Sequence, residues 1–205
     1  MSEGINVYDE VRSPYGFVSE AKEFEKQAAE GIPCIFLSHR RGDKERVKEF
    51  GEYIKKAGIN IYLDVEDQEL QAAVEEGDDA KITEFIEQGI RYSTDLMIFL
   101  SESTRKSWWV PYEIGFGKAA GKVLSCVKLR DVKISDLAYL KIVQCLRTPK
   151  EMDAYLEEVL VRKADVGAKS KSLERLAELM IESHVGKISL ASLIGHPLDV
   201  YMNEE

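Results

Sequence analysis

The sequence is poor in the features that mark several large classes of protein. It carries only three cysteines and three histidines among 205 residues, and no CxxC spacing or cysteine–histidine cluster suggests a metal site. The formal net charge of −9 argues against a general nucleic-acid binder or a protein that binds anionic membranes. No stretch resembles a transmembrane helix, and the start lacks the basic and apolar regions of a signal peptide. We therefore expect a cytoplasmic protein with reduced cysteines, and no metal, nucleic acid or membrane partner.

Several catalytic and nucleotide-binding motifs are missing as well. The chain has no GxSxG nucleophile elbow, no P-loop and no GxGxxG turn. The first absence argues against a serine hydrolase of the α/β type. The other two argue against phosphate binding by a glycine-rich loop and against dinucleotide recognition of the Rossmann kind.

What the sequence does contain is five apolar segments, rich in β-forming residues, that alternate with helical patterns. Continuous rather than alternating apolarity is typical of strands that are buried on both faces. Strands that alternate with helices predict an α/β fold with a parallel sheet between two helical layers. Five such units fit a flavodoxin-like three-layer sandwich with strand order 2-1-3-4-5, with extra helices at both ends of the chain. The predicted strands are residues 32–38, 59–64, 95–101, 122–129 and 142–147.

Two loops should meet at the ligand-binding edge of this sheet. Ligands of such folds bind beyond the carboxyl ends of the strands, where strands 1 and 3 diverge. The loop SHRRGD (38–43) follows strand 1, and SESTRKSWWVPYE (101–113) follows strand 3. Arg40 and Arg41 suit phosphate recognition because each guanidinium can bond two oxygens at once. The alternative is that both are solvated loop residues that pair with the nearby Asp43.

Glu113 is the strongest catalytic candidate. Proline is favoured at the first helical position, so Pro111 predicts a helix in which Glu113 is the third residue, near the positive end of the helix dipole. We expect its carboxylate to be held firmly and kept ionised. The alternative is that Glu113 only stabilises the start of the helix. At a ligand crevice, beside the aromatic Trp109, a carboxylate could stabilise the cation that forms when an N-glycosidic bond breaks.

Three stretches together resemble the Toll/interleukin-1 receptor (TIR) domain family. CIFLSHRRGD is similar to the family's first strand, and INIYLD with the long loop after it is similar to the second strand and the BB loop. KITEFIEQGIRYSTDLMIFLSESTRKSWWVPYE resembles its most recognisable stretch, which ends in the pattern Ser-x-Trp-x-x-x-Glu, here Ser107, Trp109 and Glu113. The similarity covers roughly residues 32 to 160. It departs from the family's pattern at Trp108, at Pro111 and in the length of the acidic BB-loop region.

The resemblance implies a specific activity. Many prokaryotic, plant and a few animal TIR domains cleave NAD at the nicotinamide–ribose bond, with the glutamate of this pattern as the catalytic residue. It implies Glu113 as the catalytic carboxylate, and NAD as a substrate, with no cofactor. The implied substrate-binding residues are Ser38, Arg40, Arg41, Asp43, Ser103 and Trp109.

The leading hypothesis is therefore an NAD glycohydrolase or ADP-ribosyl cyclase in bacterial antiviral or stress defence. One alternative is a non-enzymatic TIR adaptor that acts by homotypic assembly, and another is an enzyme like the nucleoside deoxyribosyltransferases. We expect a homo-oligomer formed through TIR–TIR contacts, with any sensor or effector on a separate protein. The predicted divisions are an N-terminal helical extension (1–31), a TIR-like domain (32–163) and a C-terminal helical extension (164–205).

Overall fold

The computed structural model describes residues 3–11, 18–64, 73–130, 132, 142–167 and 196–202. Its centre is a five-stranded sheet in which every neighbouring pair is parallel, in the order β2-β1-β3-β4-β5. This confirms the predicted sheet and its strand order, although β2 and β5 are shorter than their apolar segments. The strands are β1 (Cys34–Ser38), β2 (Asn60–Tyr62), β3 (Asp95–Leu100), β4 (Val123–Lys128) and β5 (Gln144–Leu146).

Helices occupy the connections between β1 and β2, between β2 and β3 and between β3 and β4, and others precede β1 and follow β5. Positive-φ glycines follow three of these helices, Gly31 with φ of 77°, Gly58 with φ of 82° and Gly121 with φ of 72°, the left-handed conformation that usually ends a helix. Each lies two residues beyond the last residue of its helix. The helices are α1 (Val7–Val11), α2 (Val18–Ala29), α3 (Lys44–Lys56), α4 (Asp79–Arg91), α5 (Trp109–Ala119) and α6 (Pro149–Gly167).

Two apolar cores cover the two faces of the sheet. On one face, α3 and α6 pack on the strands, and the rings of Phe50 and Phe99 meet edge to face with centroids 4.9 Å apart. On the other face, α4 and α5 pack through residues such as Ile86 and Ile114. All residues of β1 and β3 are buried, which is why their segments are apolar except at Ser38 and Asp95. The chain therefore has the three-layer, flavodoxin-like architecture.

Gly89 lets α4 approach the sheet closely. A Cβ atom at this position would lie 2.5 Å from the Tyr62 ring and 2.6 Å from the Phe36 ring, closer than carbon atoms can pack. The two rings are themselves stacked, with centroids 5.6 Å apart. Glycine at this point of the helix therefore sets the spacing between α4 and the strands that end at the ligand-binding edge.

The start of α5 differs from the prediction. The helix begins at Trp109, so Pro111 is its third residue and Glu113 its fifth. The first four N–H groups of a helix have no intrahelical acceptor, and a proline among them therefore removes no hydrogen bond. Pro111 is thus compatible with an earlier start, which the sequence signal could not fix. Glu113 lies beyond the first turn, and the prediction that it is the third residue was wrong.

Both flanks contact the central domain where the structure describes them. Asn6 forms a parallel bridge with Ile61 of β2, and Val7 is buried. At the other end, Leu198 and Met202 are buried in the core beneath α3 and α6. Residues 168–195 of the predicted C-terminal helical extension lie outside the described residues, and the division at 1–31 and 164–205 stays a prediction. Among the described helices, none combines the length and apolarity that crossing a membrane requires.

Candidate active site

A cavity of about 420 Å³ lies at the carboxyl ends of β1 and β2 and beside the loop that follows β3. This is the edge at which the strand order predicts a ligand site. One part of the lining is apolar and comes mainly from α4, α5 and β1, while the polar part comes from the loops. The lining residues are Phe36, Leu37, Ser38, His39, Arg40, Arg41, Lys44, Asp64, Val74, Ile82, Ile86, Ser107, Trp109, Val110 and Glu113.

Glu113 is the buried acid of this cavity. Its side chain projects from α5 and is only 7% exposed, and its carboxylate accepts a hydrogen bond from the Ser38 hydroxyl. Burial is the main cause that raises the pKa of Glu113; the Ser38 hydrogen bond opposes it, the negative charge of Asp64 adds to it, and the resulting pKa is about 7. The carboxylate is held firmly, as predicted. The expectation that it is kept ionised was wrong, because burial outweighs any effect of the helix start.

Ser38 owes its position to the end of β1. It is 2% exposed, and it pairs in register with Ile98 of β3. It is the last residue of β1 and lies beyond the pairing of β1 with β2, which ends at Phe36 and Tyr62. The hydroxyl that contacts Glu113 is therefore held by the pairing with β3 rather than by a loop.

Three cationic side chains line the rim of the cavity. Arg40 and Arg41 follow β1 and are exposed, and Lys44 at the start of α3 is half-buried. Arg40 donates a hydrogen bond of 3.5 Å from Nη1 to Oγ of Ser107, which links the loop after β1 to the loop after β3. The rim is thus positively charged in a chain whose net charge is −9.

Asp43 joins the same two loops from beneath. It is 2% exposed, and its Oδ2 accepts hydrogen bonds from the hydroxyls of Ser101 at 2.5 Å and Ser103 at 2.8 Å. Its Oδ1 forms an ion pair of 2.8 Å with Arg46. Asp43 and Ser103 do not belong to the cavity lining. Their hydrogen bonds connect the loop after β1 to the loop after β3. Substrate contact by either residue stays a prediction.

Trp109 forms one wall of the cavity at the start of α5. Its ring meets that of Tyr112 edge to face, with centroids 6.1 Å apart. The backbone N–H of Trp109 donates a hydrogen bond of 3.2 Å to the Ser107 hydroxyl. Ser107 thus accepts one of the N–H groups that the start of a helix leaves unpaired. The neighbouring Trp108 points away and is 92% exposed.

Four polar residues of the lining, His39, Lys44, Asp64 and Ser107, were not among the substrate-binding residues predicted from the sequence. Asp64 follows β2, and its charge acts on Glu113; the acid that ends the apolar segment INIYLD was the available signal. Lys44 was hidden among the charged residues that begin α3. Residues 65–72 of the acidic loop lie outside the described residues, while Val74 beyond them reaches the cavity. Within the described residues, no three potential metal ligands come together.

The arrangement combines three chemical properties. A buried carboxyl group that titrates near neutral pH faces an apolar wall with an indole ring, and the rim is cationic. The volume is within the range of small-molecule sites. Such a cavity suits a ligand with an aromatic ring, an electrophilic carbon near the carboxylate and an anionic portion toward the rim.

Comparisons with known proteins agree with this geometry. The sequence model of the TIR domain matches residues 35–160, which include every residue of the cavity lining. Over 119 residues the chain is 28% identical to a protein of Bacillus cereus (strain MSX-D12) named "Probable 3' cyclic ADP-D-ribose synthase ThsB'". The match covers 54% of this chain and 60% of that protein, so it spans less than two thirds of the relative's length.

Proposed function

Because the chain belongs to the TIR domain family, we propose that it cleaves the nicotinamide–ribose bond of NAD with Glu113 as the catalytic carboxylate. The observation that carries this proposal is the buried carboxyl group of Glu113, hydrogen-bonded by Ser38 at the base of the cavity. The name of the Bacillus cereus relative, which refers to a cyclic ADP-ribose product, supports the same class of reaction.

The cleavage step needs a negative charge more than it needs an acid. As the bond between C1′ of the ribose and the pyridinium nitrogen breaks, positive charge moves onto the sugar, and nicotinamide leaves as a neutral molecule. The ionised form of Glu113 stabilises this oxocarbenium-like state or forms a bond to C1′. Because the group is buried, the effective dielectric constant around it is low. The attraction between its negative charge and the sugar cation is therefore stronger than it would be in water.

The raised pKa of Glu113 fits a cationic substrate. At neutral pH a carboxyl group with a pKa of about 7 is divided between its two protonation states. The positive nicotinamide ring favours the ionised state when it enters the cavity, since an opposite charge lowers the pKa of an acid. Substrate binding therefore generates the charged form of Glu113 that the cleavage step uses.

The remaining lining residues orient the substrate. Arg40, Arg41 and Lys44 bind the diphosphate through charge-assisted hydrogen bonds. Trp109 and the aliphatic wall from α4 receive an aromatic ring of the substrate. Asp43 and Ser103 position these groups without contacting the substrate, because their hydrogen bonds hold the two loops that present the groups.

The fate of the sugar cation divides a glycohydrolase from a cyclase. Water at C1′ gives ADP-ribose, whereas a nucleophilic atom of the same ADP-ribose moiety gives a cyclic isomer. The apolar wall of Val110, Ile82 and Ile86 limits the positions that water can take and supports the cyclic product. The product is then a small signalling molecule in bacterial antiviral or stress defence.

The adaptor alternative is favoured by one observation, the 92% exposure of Trp108 beside the cavity. A tryptophan with so much apolar surface in water is typical of an interface residue. We infer that TIR–TIR contacts form a homo-oligomer in the cytoplasm. Assembly is compatible with catalysis, and a pure adaptor is the outcome if NAD is not cleaved.

A deoxyribosyltransferase-like enzyme is disfavoured by the cationic rim, which a nucleoside without phosphate does not need.

Product identification separates these functions. Concentrated protein is incubated with NAD or with a mixture of a deoxynucleoside and a free base, and the products are separated by chromatography with mass detection. We expect nicotinamide and a second product from NAD, whose mass is that of ADP-ribose or lower by one water for a cyclic isomer. Base exchange without NAD cleavage would favour the transferase. No turnover in either mixture, with and without a crowding agent that promotes assembly, would favour the adaptor.

A further inference from the structure

Two of the three cysteines lie side by side on neighbouring strands. Cys126 of β4 and Cys145 of β5 are direct partners in the parallel register. Neighbouring strands are about 4.8 Å apart, and a disulfide spans Cα atoms that are roughly 4.4–6.8 Å apart. Both thiols are free. The sheet therefore presents two reduced sulfurs at a separation that a disulfide bond can close with little backbone movement.

The two cysteines differ in exposure. Cys126 is completely buried, whereas Cys145 is partly exposed on the edge strand of the sheet. A small reagent from solution can therefore reach the Cys145 sulfur first. The cavity that holds Glu113 includes neither residue, so the pair is separate from the site proposed for NAD.

The surroundings of the pair shift the pKa values of its two thiols in opposite directions. The neighbouring Cys126 thiol and the positive charge of Arg147 both favour the ionised form of Cys145. Together they lower the pKa of Cys145 to about 6, against burial and the charge of Glu151. The proximity of Cys145, together with complete burial, raises the pKa of Cys126. At neutral pH the accessible sulfur is thus the thiolate, which is the nucleophilic form.

Cys34 provides an internal comparison within the same chain. It is a buried residue of β1, its sulfur contacts the Ser93 hydroxyl at 3.7 Å, and burial raises its pKa to about 12. A thiol in this state is inert. Any reaction that depends on a thiolate should therefore distinguish Cys145 from Cys34.

We propose that Cys145 and Cys126 form a dithiol redox site, in which a hydroperoxide oxidises Cys145 and Cys126 resolves the product into a cross-strand disulfide. In the first step the Cys145 thiolate attacks one peroxide oxygen, the O–O bond breaks, and the other oxygen leaves as an alcohol or water after taking a proton. Cys145 becomes a sulfenic acid. In the second step the Cys126 sulfur attacks the Cys145 sulfur, the S–O bond breaks, and hydroxide leaves as water with the Cys126 proton. Two thiols are oxidised and one peroxide is reduced to an alcohol, or water, plus water.

The test treats the full chain with one equivalent of hydrogen peroxide at pH 7, followed by alkylation of the remaining thiols and peptide mass spectrometry. We expect a Cys126–Cys145 disulfide that dithiothreitol reverses, with Cys34 recovered as the alkylated thiol. In Cys126→Ser the sulfenic acid should persist on Cys145 and be trapped by dimedone. In Cys145→Ser neither a disulfide nor a trapped product should form at Cys126.

A substitution at an exposed residue tests the reactivity of Cys145 with both sulfurs in place, so the result does not depend on whether the cysteine variants fold. Arg147 is exposed, and Arg147→Gln should slow alkylation of Cys145 at pH 7 several-fold, with a smaller effect at pH 9, where the thiolate forms without it. Lys150→Gln, on the exposed surface of α6, is the matched control and should leave the rate unchanged. Equal reactivity of Cys34 and Cys145, or oxidation of Cys145 to a sulfinic acid without a disulfide in the unmodified chain, would overturn the proposal. None of these measurements depends on NAD cleavage.

Discussion

The Ser38 hydroxyl at the end of β1 donates a hydrogen bond to the carboxylate of Glu113 in α5, across 75 positions of the chain. This contact joins the end of β1 to α5 at the ligand-binding edge, and it gives the catalytic candidate one fixed orientation. It also opposes the effect of burial on Glu113, because a hydrogen bond to the charged form of an acid favours that form. The balance between these two effects leads to predictions that can be measured.

Replacing Ser38 by alanine should shift the pH dependence of NAD cleavage to higher pH. The variant loses the hydrogen bond that lowers the pKa of Glu113, so a higher pH is needed to ionise the carboxyl group. A hydrogen bond to a charged group contributes roughly 1.5–3 kcal/mol, which corresponds to a shift of about 1–2 pH units. The measurement is kcat/KM from pH 5 to 9. Ser125→Ala, which truncates a buried serine of β4, is the control, and an unshifted profile in Ser38→Ala would contradict the assigned contact.

Replacing Asp64 by asparagine should shift the same profile in the opposite direction. The charge of Asp64 raises the pKa of Glu113, and its removal makes the carboxylate easier to form. Activity at pH 6 relative to pH 8 should therefore rise in Asp64→Asn, even if the absolute rate falls through lost contacts. Asp79→Asn on the exposed surface of α4 changes the net charge equally and should leave the ratio unchanged. A shift of Asp64→Asn to higher pH would contradict the electrostatic role.

Glu113 should make the folded protein less stable as the pH rises. Its pKa is 4.5 in the unfolded chain and about 7 when folded, so ionisation costs more in the folded state. This penalty is absent below pH 4.5, grows between the two values and is complete above pH 7, where it amounts to roughly 3 kcal/mol. Glu113→Gln should therefore gain stability relative to the unmodified chain between pH 5 and pH 8, as measured by urea unfolding. A constant difference over that range would show that Glu113 is not buried as described.

The cationic rim should affect substrate affinity more than the chemical step. If Arg41 contacts the diphosphate, Arg41→Gln removes a charge-assisted interaction and should raise KM for NAD about tenfold or more, with a smaller change in kcat. Nicotinamide riboside, which has no diphosphate, should be used equally by both proteins. Lys48→Gln on α3, outside the cavity lining, is the control. A similar loss with both substrates would mean that Arg41 supports the loop rather than binding phosphate.

Replacing Asp43 by asparagine should lower the stability of the folded protein. Asp43→Asn keeps the size of the side chain but weakens the hydrogen bonds from Ser101 and Ser103 and the ion pair with Arg46. Leaving this buried network incomplete should destabilise the protein by about 1–3 kcal/mol in urea unfolding. Arg46→Gln should cost less, because the Arg46 side chain is 34% exposed and water replaces part of its contact. Equal stability of Asp43→Asn and the unmodified chain would remove Asp43 from the framework of the site.

The sequence predicted the sheet because β1 and β3 are buried on both faces and are therefore apolar except at Ser38 and Asp95. The start of α5 could not be predicted from Pro111, since a proline is tolerated at several positions of the first helical turn. The ionisation of Glu113 was mispredicted for a different reason. Its neighbours in the chain suggested a place in the first helical turn, near the positive end of the helix dipole, whereas burial and the charge of Asp64, 49 positions away, arise only in the folded domain.

Asp43 shows the same limit within the site. In the sequence it stands next to Arg40 and Arg41, and local pairing was the available alternative for those arginines. In the fold its carboxylate turns inward to Ser101 and Ser103, which belong to the loop after β3. Local sequence therefore identified the loops that meet, while the choice of partners between them depended on tertiary structure.

The most direct test of Glu113 as the catalytic carboxylate is the initial rate of nicotinamide release from NAD by the unmodified chain, Glu113→Gln and Glu84→Gln at equal concentration. Glu84 is an exposed residue of α4, so its variant controls for the loss of one carboxylate. We expect Glu84→Gln to match the unmodified chain and Glu113→Gln to lose at least about 100-fold, the range for removal of one electrostatic stabiliser, while remaining folded by thermal unfolding. Nicotinamide release by folded Glu113→Gln at the rate of the unmodified chain would contradict the proposed mechanism.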